Sequence, residues 1–171
     1  VMYNFWIKEL GCVSCGETVP LFKDYRVAKG RYDNDDKYNI LCPGCENVFH
    51  VDDWRSETTC TECRHKFDPS SGPASGANYT CQSCGQKYRI RDAIEEQNGF
   101  DVRFYALEYY CATCDEQGRS KGEVKGYKKV EPFDQQKFEK ARKEWEETKE
   151  LREFVPNSTI PKGAVTSTDF G

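Results

Sequence analysis

All ten cysteines of the chain fall into Cys-x-x-Cys pairs: Cys12/Cys15, Cys42/Cys45, Cys60/Cys63, Cys81/Cys84 and Cys111/Cys114. None is single. Disulfide frameworks bridge distant cysteines at irregular spacings. Thiolates separated by two residues suit a metal instead: one tight turn aims both sulfurs at one ion, and a second turn completes a tetrahedron. Gly16 and Gly85 directly follow the second cysteine of their pairs, Pro43-Gly44 sits inside a third pair, and Arg64 takes the glycine's place in a fourth. Glycine supplies the positive φ and the exposed N–H groups of a metal knuckle.

Four ligands per ion make two full sites, with one pair over. Zinc is the expected metal, in two ions. Iron in a rubredoxin-like site has the same four thiolates, so that alternative stays open. The gaps between successive pairs are 26, 14, 17 and 26 residues. The clearest ribbon joins Cys42/Cys45 to Cys60/Cys63, with a short strand around Val48, Phe49, His50 and Val51 in the gap. Cys81/Cys84 can then partner either Cys12/Cys15 or Cys111/Cys114, and spacing alone does not choose. His50 and His65 read as strand or surface residues rather than ligands.

The metal has a structural job to do. Leu, Ile, Val and Phe together are 31 of 171 residues, thin for a self-sufficient core. A net charge of -4 excludes a histone-like, strongly basic binder. No apolar run approaches the roughly 20 residues of a membrane span. No segment reads as a signal peptide, and the expected location is cytoplasmic. Phosphate-binding glycine loops, a Gly-x-Ser-x-Gly elbow and a His-Glu-x-x-His motif are all absent from the sequence. Paired knuckles close a metal's shell, whereas a catalytic zinc keeps one position open. The chain alone therefore reads as a binding module rather than an enzyme.

The expected fold class is α+β: small zinc-ribbon modules with antiparallel hairpins and one long C-terminal helix. Residues 2–10 read as an aromatic strand and residues 19–29 as a second. Residues 31–37 read as a polar loop. Residues 68–78, rich in Pro, Ser and Gly, read as a flexible loop and an internal boundary. Residues 87–91 read as a short strand. Asp92 is expected to cap a brief helix, with Glu95 completing a capping box and Gly99 as the stop. Residues 101–110 alternate as a strand, and residues 125–130 are its expected antiparallel partner, which puts Cys111/Cys114 in the hairpin tip. Residues 134–154 repeat apolar positions at helical steps (Phe138, Ala141, Trp145, Thr148), with Glu139 and Lys143 able to pair and Pro156 ending the helix. The expected organisation is a ribbon region over 1–130 with an inserted ribbon at about 39–68. A helix over 131–155 packs on it, and a tail over 156–171 leads to a missing domain. Both ends look cut from something longer.

Charge is uneven. Residues 31–63 hold eight acidic and three basic residues. Lys87, Arg89 and Arg91 alternate with Tyr88 and Ile90, which on a strand sets three positive charges on one face. Arg103, Lys125, Lys128 and Lys129 extend that face if the hairpin forms. Such a stripe can meet DNA phosphates.

The aromatic strand, then Cys12 to Gly16, then Val19-Pro20-Leu21, resembles the zinc-ribbon region of large bacterial and archaeal adenine-specific DNA methyltransferases of the anti-phage-associated type. Tyr79-Thr80-Cys81-Gln82-Ser83-Cys84-Gly85 with Tyr88-Arg89-Ile90, Tyr105 to Tyr110, Ile160-Pro161 and Phe170-Gly171 extend the resemblance. It implies that Cys12, Cys15, Cys81 and Cys84 share one ion. Cys42, Cys45, Cys60 and Cys63 then form an inserted ribbon, with Cys111/Cys114 spare. It also implies an accessory domain that contacts DNA or positions the target beside the rest of the methyltransferase chain. The family's catalytic Asp/Asn-Pro-Pro-Tyr/Phe motif and its S-adenosylmethionine loop are missing here, so no catalytic residue carries over. The competing expectations are a stand-alone ribbon docking protein partners in a transcription-type assembly, and rubredoxin-like electron transfer.

Overall fold

In the computed structural model, residues 1–32, 35–119, 124–148 and 153 are described. They form an α+β structure in which every strand ladder is antiparallel. The strands are β1 (Tyr3–Gly11), β2 (Thr18–Pro20), β3 (Arg26–Tyr32), β4 (Asp35–Leu41), β5 (Val48–Val51) and β6 (Thr58–Thr59). They continue as β7 (Lys66–Phe67), β8 (Ala74–Ser75), β9 (Asn78–Thr80), β10 (Lys87–Arg89), β11 (Asp101–Tyr110) and β12 (Lys125–Lys129). The described residues also form three helices: α1 (Ile90–Glu96), α2 (Ala112–Glu116) and α3 (Pro132–Glu147). Two compact units emerge, Val1–Glu131 and Pro132–Gly171.

In the first unit the longest strands, β1 and β11, pair from Tyr3 opposite Glu108 to Glu9 opposite Asp101. They are the middle of a four-stranded sheet ordered β12-β11-β1-β2. Three smaller sheets are β3-β4-β5, β6-β7 and β10-β9-β8. The apolar residues divide between two clusters. One gathers Phe22, Tyr25, Ile40, Leu41, Phe49, Phe67, Tyr105 and Ala106 around Cys42 and Cys60. The other gathers Leu10, Val19, Tyr79 and Ala93 around Cys12 and Cys81. The aromatics of the larger cluster meet edge to face, Phe22 on Tyr105 at 5.0 Å and Tyr25 on Phe67 at 5.8 Å. That geometry suits their ring quadrupoles.

Several expectations need correcting. The strand read over 19–29 is broken into β2 and β3 by a buried corner at Phe22 and Tyr25. The polar loop read over 31–37 is mostly strand, because β3 and β4 run on to Tyr32 and from Asp35. Acidic residues lower strand propensity, yet tertiary pairing overrides it. Asp92 does not cap α1: the helix begins at Ile90 after an extended Arg89, and Asp92 lies in its first turn.

The 68–78 segment is no loose boundary. Pro69 is fully buried. Its carbonyl accepts from the Tyr25 N–H at 2.8 Å, the Gly72 N–H donates to Lys23 O at 3.0 Å, and the Ala74 N–H donates to Phe22 O at 2.9 Å. Three backbone bonds thus fasten it to the 22–25 corner, and paired buried backbone groups are costly to release.

In the second unit, α3 opens on Pro132, whose fixed φ and missing N–H suit a first helical position. Its ion pairs are Arg142 with Glu139 and Glu146, Lys140 with Glu144, and Lys143 with Glu147 rather than Glu139. Pro156, the rest of the helix read to residue 154, except residue 153, and the tail over 156–171 lie outside the described residues. Among the described residues no helix is long and apolar enough to cross a membrane.

Gly72 has no room for a side chain. A Cβ there would fall on the Phe22 carbonyl oxygen and 2.8 Å from the Lys23 carbonyl carbon. Gly72→Ala is expected to cost about 2 kcal/mol, since backbone rather than a movable side chain must yield. Chemical denaturation of the metal-loaded chain measures it.

Candidate metal centre

Four of the five cysteine pairs have one and the same backbone. Each sits in the turn of a hairpin: β1/β2, β4/β5, β6/β7 and β9/β10. The carbonyl of each first cysteine accepts from the residue four positions on: Cys12 from Gly16, Cys42 from Glu46, Cys60 from Arg64, and Cys81 from Gly85, at 2.8 to 3.2 Å. Each first cysteine also donates its N–H five positions on, to the carbonyls of Glu17, Asn47, His65 and Gln86. The fourth position is left-handed every time, with φ of 75°, 60°, 63° and 73° at Gly16, Glu46, Arg64 and Gly85. Glycine supplies this in two knuckles. Glu46 and Arg64 take it up despite their Cβ, and glycine-based sequence reading passes over Glu46 altogether.

The knuckles meet in pairs. Cys12, Cys15, Cys81 and Cys84 bring their sulfurs within 4.8 Å of one another, and so do Cys42, Cys45, Cys60 and Cys63. The shortest cross-pair separations are 3.5 and 3.7 Å in the first tetrad (Cys12 to Cys84, Cys15 to Cys81) and 3.6 Å twice in the second (Cys42 to Cys63, Cys45 to Cys60). A tetrahedron with metal–sulfur bonds near 2.3 Å has edges of about 3.8 Å. The sulfurs are therefore spaced for a shared ion and too far apart for disulfides. Each tetrad can hold a metal ion, and the all-thiolate donor set suits zinc or iron. In both tetrads the first cysteine of each pair is buried in an apolar cluster, and the second is exposed except for half-buried Cys45.

Second-layer contacts fix the knuckles. At the first tetrad, the Gln97 amide beyond α1 grips Gly11 from both sides: its Oε1 accepts from the Gly11 N–H at 2.8 Å and its Nε2 donates to Gly11 O at 3.0 Å. The Tyr79 hydroxyl donates to the same carbonyl at 2.9 Å. The Tyr88 hydroxyl donates to Ser14 Oγ at 2.6 Å and lies 3.9 Å from Cys12 Sγ. At the second tetrad, the Gly44 and Glu62 N–H groups donate to Cys42 and Cys60 Sγ, both at 3.4 Å. Arg103 of β11 ties Glu9 of β1, at 2.6 Å, to Glu46 of the second knuckle, at 2.7 Å. Such partners orient ligands and tune a bound metal. Gln97, Tyr79, Tyr88 and Arg103 stand outside any cysteine motif, so spacing did not reveal them.

The thiols resist ionising together. Burial opposes ionisation of Cys12, but the Cys15 and Ser14 N–H groups outweigh it and its thiol is held at about 6. Burial likewise opposes ionisation of Cys60, and the Cys63 and Glu62 N–H groups bring it to about 7. Burial together with its sulfur neighbours pushes Cys42 up to about 12. At Cys15 the Glu17 N–H works downward, but the surrounding sulfurs prevail and raise it to about 12. Cys12 and Cys60 thus ionise readily, and a cation is what lets Cys15 and Cys42 follow.

His50 lies on β5 and His65 stacks on Phe67 at 5.9 Å; neither belongs to a tetrad. Cys111 and Cys114 also stand apart, and a disulfide joins them. The basic residues are more scattered than a single stripe. Lys87 and Arg89 lie exposed on β10, at the edge of the β10-β9-β8 sheet. Arg91 is not on that strand: it sits in α1 and pairs with Glu95 at 3.0 Å. The β11/β12 hairpin carries Arg103, Lys125, Lys128 and Lys129 in a different sheet. There Lys125 pairs with Glu108 at 3.0 Å and Lys128 with Glu131, while Lys129 Nζ reaches Cys45 O at 3.5 Å. The expected extension of the stripe across the hairpin is therefore not formed. No family model, curated protein or solved structure matches the chain.

The metal-loaded chain is expected to carry two equivalents of zinc by elemental analysis. Chelation should abolish cooperative melting, because each apolar cluster closes around a tetrad. Zinc binding takes thiolates and so releases protons; affinity should rise with pH and metal should be lost on acidification. The left-handed positions yield a second prediction. Arg64→Gly is expected to stabilise the chain by about 1 kcal/mol, by relieving the Cβ in a left-handed backbone. Glu46→Gly should gain less, since it also removes the ion pair to Arg103. Denaturation midpoints compare the two.

Proposed function

We propose that this chain is a zinc-held accessory module that contacts DNA beside the catalytic domain of an adenine-specific DNA methyltransferase. The observation that carries the structural half of this reading is the pair of four-thiolate tetrads on equivalent knuckles. Four protein ligands per ion leave no coordination position for a substrate, so the metal's work is to hold backbone in place. The grouping of Cys12 and Cys15 with Cys81 and Cys84 supports the methyltransferase half, because the same set follows from the resemblance.

For DNA contact, the best-suited residues are Lys87 and Arg89. Both side chains are exposed and neither has an ion-pair partner among the described residues. Arg91 follows on α1, already shared with Glu95. Lys128, paired with Glu131, is a weaker contributor. The patch is short, and its contacts are of the kind that position a protein on phosphates rather than read bases.

Fluorescence anisotropy of the zinc-loaded chain on duplex DNA over a salt series tests the reading. Two or three phosphate contacts give a log–log slope of about −2 to −3. Lys87→Glu with Arg89→Glu should flatten the slope and weaken binding, with the zinc content unchanged. Absence of binding at low salt would remove the DNA role and leave protein docking.

A further inference from the structure

The fifth Cys-x-x-Cys pair shares with the other four its spacing and the bond from the fourth residue on, Asp115 N–H to Cys111 O at 3.2 Å, but departs from them in the rest. Its first cysteine donates its N–H across the hairpin to Val124 O at 2.7 Å, not five positions on. The residue four positions on, Asp115, is helical rather than left-handed, and the backbone turns only at Gly118, with φ of 69°. The sulfurs are joined to each other. Among the described residues no cluster of metal-ligating side chains includes them. The pair thus lacks the five-on bond, the left-handed fourth position and the facing pair of a metal knuckle, in a chain whose other eight cysteines are free thiols.

From this contrast we infer that Cys111–Cys114 is a thiol–disulfide exchange site, taking electrons from a dithiol reductant and returning them to a disulfide oxidant. Three observations carry it. Cys111 and Cys114 are half-buried rather than sealed, at the tip of the β11/β12 hairpin. No residue of α2 is buried, so opening the bond disturbs no core. The bond closes a loop with a separation of only three residues, which restricts an unfolded chain little, so a stapling role is poorly served.

The geometry also gives the exchange a direction. The Cys114 N–H already donates to Cys111 Sγ at 3.3 Å. Cys111 is therefore the better leaving thiolate. A thiolate of the reductant attacks Cys114 Sγ, the Cys111–Cys114 bond breaks, and its electron pair stays on Cys111 Sγ, which then takes a proton. The reductant's second thiolate attacks its own sulfur in the mixed disulfide and releases Cys114, which takes the second proton. Two electrons and two protons pass to the pair, and the dithiol leaves as its disulfide.

The zinc-loaded full chain is equilibrated in mixtures of reduced and oxidised dithiothreitol, alkylated, and mapped by mass spectrometry. The expected result is one two-electron transition in which Cys111 and Cys114 alone gain label, with zinc content and circular dichroism unchanged, and which reverses on adding oxidant. In the reduced chain at neutral pH, Cys111 should alkylate roughly tenfold faster than Cys114, the effect of about one pKa unit. The double variant Cys111→Ser, Cys114→Ser should melt where the parent does. Label entering the tetrads first, failure to reoxidise, equal alkylation rates, a lowered melting point in the double variant, or a third equivalent of zinc on reduction would each overturn the inference.

Discussion

Four sulfurs within 4.8 Å of one another cannot all carry charge without a cation among them. That electrostatic demand organises the rest of the first unit. Its apolar residues are too few for one continuous core, and they settle instead into two clusters. Each is built around the buried first cysteines of two knuckles. An ion held in either tetrad would couple coordination to apolar burial: it would fix where two hairpin turns meet, and the turns bring Leu10, Val19 and Tyr79, or Ile40, Leu41 and Phe49, into contact.

Rigidity then spreads outward by hydrogen bonds. Gln97 and Tyr79 both close on the Gly11 backbone, so α1 and β9 are referred to the end of β1. Arg103 does the same between the central sheet and Glu46 of the second knuckle. The strained left-handed backbone at Glu46 thus coincides with a side chain that holds two parts of the fold together. Arg64, in the equivalent place, has no such ion pair among the described residues. The most adaptable electrostatics lie at the exposed edge of β10, away from these ties.

The knuckles were legible because the chemistry is local: two cysteines three positions apart, followed by glycine in two of the four, fix a turn within six residues. Strand β11 was equally legible, since alternation from Asp101 to Tyr110 is a local pattern too. What the sequence hid is non-local. The spacing of Cys81 and Cys84 does not say which distant pair they join. Pro, Ser and Gly between residues 68 and 78 read as slack, yet Gly72 is there because the Phe22 backbone leaves space for nothing larger. Arg91 reads as a third strand charge, but the helix begins one residue before it. The fifth pair repeats the spacing of the others, and only its backbone and its disulfide set it apart. Glu46 conceals its left-handed turn because no glycine marks it.

The two tetrads are nested like brackets: the inner one spans Cys42 to Cys63 and the outer one Cys12 to Cys84. Cys45 and Cys60 are 15 residues apart, whereas Cys15 and Cys81 are 66 apart. Closing the outer span costs about 1 kcal/mol more in chain entropy when the intervening segment is loose. Once the inner bracket has shut, that segment is shortened to a compact bead. During synthesis the four inner sulfurs also emerge from the ribosome before Cys81 does. Loading therefore has an order written into the connectivity, with the first ion captured serving as the template on which the second is gathered.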